Sequence, residues 1–163
     1  DADNQVNRNI THEYVICEPK EKVNAMHQFL KVQGDKRGVI FCRTKSDSVK
    51  LCKQLQAKNY DVDVLNGDLK QIEREKVLRA FKGHKVQLLI STDVAARGID
   101  IEGLAFILHH QLPDQMEYYT HRAGRTARAG KKGLSLSFIT EQDKRGIKRL
   151  EAGLNIEFSE TIV

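Results

Sequence analysis

Short apolar, β-branched runs recur along the chain between longer segments whose apolar residues return every three or four positions. The runs are "EYVIC" (13–17), "GVIFC" (38–42), "VDVLN" (62–66), "QLLIST" (87–92), "LAFILHH" (104–110) and "LSLSFI" (134–139). Between them, Val23, Met26 and Leu30 fall at helical spacing, as do Val49, Cys52 and Leu55. Leu69, Ile72, Val77, Ala80 and Phe81 form one broad face over residues 68–83. Such alternation predicts βαβ units: an α/β fold in which a mostly parallel sheet is covered by helices on both faces. Gly34, Gly83 and Gly103 stand where periodic segments run out, and Pro19 and Pro113 punctuate the chain similarly. Residues 114–123 read as a helix opened by Asp114, and residues 141–154 as a final helix despite Gly146. No repeat, low-complexity tract or linker interrupts the pattern, so a single domain is expected.

Composition narrows the class. The 163 residues, 40% hydrophobic and 30% charged, suffice for one continuous core without disulfides or metals. The longest apolar runs, such as "LLI" and "FIL", fall far short of the roughly 20 residues a membrane span requires. No membrane partner is expected. Cys17, Cys42 and Cys52 show neither CxxC spacing nor an even count, which argues against a disulfide framework or a zinc site. They read as small core residues in a cytoplasmic or other reducing intracellular compartment. The first residues, "DADNQVNRN", lack an initiator Met, a basic region and an apolar stretch, so the chain reads as an excised piece. Lys and Arg outnumber Asp and Glu by 27 to 22, a formal charge of +5 that permits a polyanionic partner but equally suits a solvated surface.

Position says more than total charge. Ligands of open α/β sheets bind beyond the carboxyl ends of the strands. Four segments fall there: "RTKSD", "NGDLKQIER", "TDVAARGID" and the arginine-rich "HRAGRTARAG" of residues 121–130. The last runs on as "KKG" and invites comparison with a phosphate loop, GxxxxGK[ST] leading from a strand into a helix. Gly124 and Gly130 are one residue too far apart, Lys132 stands where Ser or Thr should be, and the order of elements is reversed. A phosphate loop is excluded. If the preceding helix persists through this stretch, His121, Arg125 and Arg128 face one way and Arg122 turns aside. Guanidinium groups so presented suit phosphate oxygens; the alternative is a solvated basic helix end.

The other segments offer matching chemistry. The hydroxyls of Ser91 and Thr92 and the N–H of Gly98 suit a phosphodiester, and the Asp100 carboxylate suits ribose hydroxyls. Asp93 and Asp100 could equally cap the loop. Gly67 allows close backbone approach, while Asp68 is placed to cap a helix whose first amides form an anion site. Gln71 and Arg74, one turn apart, could share a target. Arg43 and Thr44 add a cation and a hydroxyl, though each residue taken singly is as readily a surface residue as a ligand.

Together the four segments resemble the C-terminal RecA-like domain of a DEAD-box RNA helicase, of superfamily 2. "VIFCRTK" resembles motif IV, "LNGDLKQIEREKVLRAFKG" the segment with the QxxR signature, "STDVAARGID" motif V and "YTHRAGRTARAG" motif VI. The match runs from about residue 11 to residue 158, in the family's order, with "LNG" for the usual "LHG" and "TAR" for the commoner "TGR". The resemblance implies an ATP-dependent RNA helicase in which Arg125 and Arg128 are arginine fingers reaching the γ-phosphate of ATP. It implies that Asp100, with Gly98 beside it, meets the ribose. Arg43, Thr44, Gly67, Gln71, Arg74, Thr92 and Arg97 would hold the RNA backbone, and His121 and Arg122 would couple nucleotide, RNA and a partner domain.

The family's N-terminal lobe carries the phosphate loop, the D-E-A-D carboxylates for Mg2+ and water, and the S-A-T linkage. None of these occurs here. The chain is therefore expected to hold half a catalytic site and to be inactive alone. Residues 1–10 would be the remnant of an interdomain linker and residues 11–163 the domain itself, a monomer in isolation. The alternatives are a lobe of a DNA-directed superfamily 2 helicase, against which "ARGID" and the QxxR spacing stand, and a stand-alone, non-catalytic RNA-binding module.

Overall fold

The computed structural model describes residues 9–127 and 130–163. Seven parallel strands form one sheet in the order β3-β4-β2-β5-β6-β1-β7. The strands are β1 (Ile10–Ile16), β2 (Gly38–Cys42), β3 (Val62–Leu65), β4 (Leu88–Thr92), β5 (Phe106–His109), β6 (Gly133–Ile139) and β7 (Phe158–Glu160). The helices are α1 (Lys22–Leu30), α2 (Lys45–Gln56), α3 (Gln71–Lys82), α4 (Asp93–Ala96), α5 (Met116–Ala123) and α6 (Lys144–Leu154). Single turns of 3₁₀ helix, Pro19–Glu21 and Glu141–Asp143, lead into α1 and α6. Among the described residues, no helix is long and apolar enough to cross a membrane.

Alternation along the central strands sorts side chains onto two faces. Ile40 and Cys42 of β2 join Met26 and Leu30 of α1 and Leu51 and Leu55 of α2 in one buried cluster. Val39 and Phe41 point to the other face, where Phe81 of α3 and Ala95 and Ala96 of α4 cover them. Farther along that second face, Tyr119 and Ala123 of α5 and Leu150 of α6 pack over Ile10 of β1.

Several expected boundaries shift for identifiable reasons. The helix expected from Asp114 starts at Met116, because Asp114 pairs with Arg43 at 3.1 Å instead of capping it. Asp68 likewise pairs with Lys45 at 2.7 Å; the helix after β3 starts at Gln71, where Glu73 accepts the Lys70 amide. The segment after β4, expected as a loop, opens with the short helix α4, capped by the Thr92 hydroxyl. β1 starts at Ile10 and β7 was not anticipated: three residues of mixed polarity form a strand only because the open edge of β1 accepts them, His12 opposite Phe158. Cys42 and Cys52 are core thiols, pushed up by burial to about 12 and about 11, whereas Cys17 is only half-buried.

β2 and β5 approach closely at Gly38, where an added Cβ would collide with the ring and carbonyl of Phe106. Gly38→Ala should lower the unfolding free energy by about 1–3 kcal/mol through overpacking. Urea denaturation tests this, and an unchanged midpoint would contradict it.

Candidate functional site at the carboxyl edge of the sheet

Strand order brings together loops that are distant in sequence. Along the carboxyl edge the loops after β3, β4 and β2 follow one another, and the connections leaving β2 and β5 depart in opposite directions. That divergence is the topological switch point at which such sheets bind ligands. Most of the candidate residues gather here.

Arg122 organises the centre. It is 1% exposed, the largest fully buried side chain among the described residues. Its Nε and one terminal nitrogen donate to the two carboxylate oxygens of Asp93 at 2.7 and 2.8 Å. The other terminal nitrogen donates to the Gln111 carbonyl at 2.8 Å and lies 3.2 Å from His109 Nδ1. The guanidinium also stands 5.1 Å from the centre of the Phe41 ring. A paired, fork-to-fork contact of this kind is the geometry in which a buried arginine is tolerated.

Because a guanidinium only donates, the hydrogen bonds beyond it acquire a direction. His109 Nδ1 must accept, so its Nε2–H donates to Ser135 Oγ, 2.7 Å away. Ser135 in turn lies 2.9 Å from the Tyr119 hydroxyl, which lies 2.7 Å from His12 Nδ1. A consistent chain has Ser135 donating to Tyr119 and Tyr119 donating to His12. The "LSLS" alternation of β6 puts Ser135 on the face toward α5, so this seam of small polar groups runs beneath that helix. Burial holds His109 neutral, its pKa lowered first by desolvation and further by Arg122. Burial also pulls His12 and His110 down to about 4.

The helix does not persist through the arginine-rich segment. α5 ends at Ala123 and Gly124 closes it. Thr126, fully buried, donates its hydroxyl to the Leu104 carbonyl, and the Leu104 amide donates to the Arg125 carbonyl at 3.1 Å. These bonds turn the chain alongside residue 104, with Ala127 at φ 64°. His121 and Arg125 therefore do not share the expected helix face: His121 is exposed on α5, and Arg125 folds back from a turn. Arg125 donates to the Ile99 and Ala96 carbonyls, both at 2.8 Å, binding the segment after α4. Its Nε is buried without a partner, and it lines a cleft of about 310 Å³ with Ile99, Ile101, Thr120, His121 and Gly124. Arg128 lies outside the described residues.

Around this centre, Gly98 and Asp100 are exposed, with Gly98 at φ 76°. Exposed Arg97 donates to the Tyr118 hydroxyl at 3.3 Å. Thr92 and Thr44 use their hydroxyls as helix caps, accepting from Ala95 N and Asp47 N. Arg43 donates to the Leu112 carbonyl at 2.9 Å, and its amide donates to Gln111 Oε1 at 2.7 Å. Gln111 and Thr44 both donate to Asp47, which together hold that carboxyl below its ordinary value. Gly67 is exposed and would meet nothing as alanine. Before it, Asn66 accepts the Asp68 amide at 2.9 Å, so "LNG" forms its turn by a side-chain bond. Gln71 donates to Glu75, leaving Arg74 without a charged partner among the described residues. Among the described residues no group of three or more His, Cys, Asp or Glu side chains could hold a metal ion.

Asp93 and Gln111 escaped the sequence reading as site residues. From the sequence Asp93 suits a loop cap, and the signal that marks it as more is its place directly after a strand end, opposite a helix that carries an arginine.

The family model described as "Helicase conserved C-terminal domain" matches residues 21–130. The chain belongs to this family. It is a C-terminal RecA-like lobe of the DEAD-box type, and the all-parallel sheet is the RecA-like fold. It is 35% identical over 154 residues to the DEAD-box ATP-dependent RNA helicase RhpA of Helicobacter pylori, covering 94% of this chain and 31% of that one. The helicase domain thus spans about a third of the length of that relative. A solved DEAD box protein from Methanococcus jannaschii superposes with TM-score 0.90 at 36% identity, over 96% of this chain and 43% of that one. Dbp5 of S. cerevisiae, solved bound to RNA and ADP BeF3, superposes with TM-score 0.88 at 28% identity, over 98% of this chain and 43% of that one.

The buried neutral imidazoles of this helicase domain make its stability depend on pH. His12 and His110 bind fewer protons folded than unfolded between about 4 and the ordinary value of 6.5. Stability is therefore fully present above pH 6.5 and declines as pH falls toward 4, by up to about 1.4 kcal/mol per pH unit for each histidine. Urea unfolding across that range should show the decline, flattened in His110→Asn; a pH-independent midpoint would contradict it.

Proposed function

We propose that this domain is the second lobe of an ATP-dependent RNA helicase, which unwinds short duplexes or remodels RNA–protein complexes when ATP and RNA clamp two lobes together. Arg125 is the observation that carries the reading. Its guanidinium is tied to the carbonyls of residues 96 and 99, its buried Nε–H has no acceptor, and the side chain borders a cleft at the functional edge. An orphaned cationic donor of this kind fits a phosphate oxygen.

ATP, held chiefly by the other lobe, supplies the phosphoryl group whose hydrolysis releases the clamp. This chain's part is to orient and to neutralise. Arg125 and Arg128 stabilise charge on the transferring group, as preorganised guanidiniums do without reorganising. The exposed Asp100 carboxylate accepts from ribose hydroxyls, with Gly98 beside it leaving room. Mg2+ is assigned to the carboxylates of the other lobe.

RNA lies across the exposed cations Arg43 and Arg97 and the partly exposed Arg74, with Gly67, Gln71 and Thr44 shaping the surface and buried Thr92 fixing the turn beneath it. Contacts of this type read the sugar–phosphate backbone and carry little sequence specificity. His121, exposed on α5, faces the other lobe, while Arg122 acts from inside by fixing the segment that carries Arg97 to Asp100. The domain comprises residues 11–163, preceded by linker, is monomeric in isolation and resides in a cytoplasmic or other reducing intracellular compartment. The RNA and nucleotide bound by the similarly folded Dbp5 support this reading.

The isolated chain should show negligible RNA-stimulated ATP turnover, and joining it to an N-terminal lobe should restore turnover; robust turnover by this chain alone would refute the division of labour. In the two-lobe protein, Arg128→Ala should depress kcat by about a hundredfold or more with little loss of RNA affinity. Gly67→Ala, harmless to packing, should do the reverse. If Arg128→Ala chiefly weakened RNA binding, the assignment of the two roles would be wrong.

A further inference from the structure

The carboxyl edge continues past the four helicase segments. Beyond β2 in the sheet come β5 and β6, and the segments that follow them enclose a second cleft of about 360 Å³ with Arg43 on its wall. Leu112, Met116 and Leu150 supply its apolar lining, and Arg145 and Arg149 of α6 its remaining cations.

Two observations single these arginines out. α6 carries four basic residues, of which Lys144 pairs with Glu141 at 2.9 Å and Lys148 with Glu151 at 3.5 Å. Arg145 and Arg149 are exposed and have no carboxylate partner among the described residues. They stand four residues apart on one helix face, where like charges repel. The cleft's carboxylates are already engaged. Asp114 pairs with Arg43, and Asp143 accepts from the amide and hydroxyl of Thr140, both at 3.0 Å. With Arg43, Arg145 and Arg149 against Asp114 and Asp143, the cleft carries a net positive charge, which an anion would relieve.

The second observation is alignment. Neighbouring strands lie about 4.8 Å apart, so the loops after β3, β4, β2, β5 and β6 form a row of roughly 20 Å. Arg74, Arg97, Arg43 and the Arg145–Arg149 pair fall along it in that order. The pair is thus the next cationic group along the edge after Arg43, with which it shares the cleft. Arg43 belongs to both the helicase segments and the cleft.

We propose that the cleft between α6 and the segment after β5 binds backbone phosphate of the same RNA strand, so that Arg145 and Arg149 extend the RNA track beyond the family's segments. This rests on the RNA-binding reading of the helicase loops. The guanidiniums act as phosphate clamps, and the extension adds affinity for longer strands without adding sequence preference.

The test is NMR titration of the 163-residue chain with a long oligouridine, a short one and inorganic phosphate, repeated on Arg145→Gln/Arg149→Gln. Both substitutions lie on the exposed helix face, where effects on stability are small. The long strand should shift the Gly146 amide and the Arg145 and Arg149 Nε–H signals together with Gly67 and Gly98, and the short strand only the latter pair. The double variant should lose the α6 shifts and about 1.4 units of the log–log salt slope for the long strand, two charges at about 0.7 each. Shifts at Gly67 and Gly98 alone would overturn the extension and leave the RNA reading standing. Shifts at α6 alone would support the cleft while overturning the loop reading. Equal α6 shifts with inorganic phosphate at matched concentration would overturn the RNA assignment in favour of a simple anion site, and no shift anywhere, either in this chain or when it is joined to an N-terminal lobe with ATP present, would overturn both.

Discussion

A single buried cation holds the functional edge together. Arg122 leaves α5 and enters a space where an unpaired charge would be prohibitively costly, so every group around it is committed to neutralising or solvating it. Asp93 supplies the charge from the first turn after β4, Gln111 a carbonyl from the end of β5, and His109 a ring nitrogen from β5 itself. Three chain segments distant in sequence are thereby fixed to one another. Arg125 repeats the device one turn later with backbone carbonyls of residues 96 and 99. The segment from Thr92 to Asp100 is held at both of its ends by the arginine-rich segment, which explains how a loop of small residues keeps a defined shape.

That arrangement divides the arginines by task. Arg122 is spent on structure. Arg125 is half-committed, with two carbonyl bonds made and one buried N–H without an acceptor. Arg97 and Arg43 are exposed, and Arg74 is partly exposed with no charged partner among the described residues. The gradient from buried to exposed runs from the part of the edge that must be rigid to the part that faces a polyanion. Parallel strand order supplies the rest, since it sets the loops side by side at regular intervals and turns separate cations into a row.

The strands were legible because their apolar runs are short and bounded, and α1, α2 and α3 because most of their apolar residues keep helical spacing, although Val49 and Ile72, expected on the core faces, are exposed. The gathering of Arg43, Gly67, Arg74, Arg97 and Arg125 at one edge follows from placing motifs after strands. What the chain alone withheld depends on tertiary contact. Nothing local to "HRAGRTARAG" says that Arg122 is buried, because its partner stands 29 residues earlier in sequence. Nor does the segment reveal that Thr126 turns the chain alongside residue 104, since that depends on its hydroxyl bond to the Leu104 carbonyl. β7 depends on an edge that exists only once β1 has paired with β6, and the caps expected of Asp68 and Asp114 were lost to nearer cations.

The central claim, that Arg122 and Asp93 act as one unit, is tested most directly by a double-mutant cycle on unfolding free energy with Arg122→Met, Asp93→Leu and both together. Each single change should cost about 3–5 kcal/mol, because it strands a buried charge or leaves its site unfilled. The double variant should cost less than the sum by about 2 kcal/mol or more. Additivity within about 0.5 kcal/mol would contradict the claim, since residues that do not interact add to that accuracy.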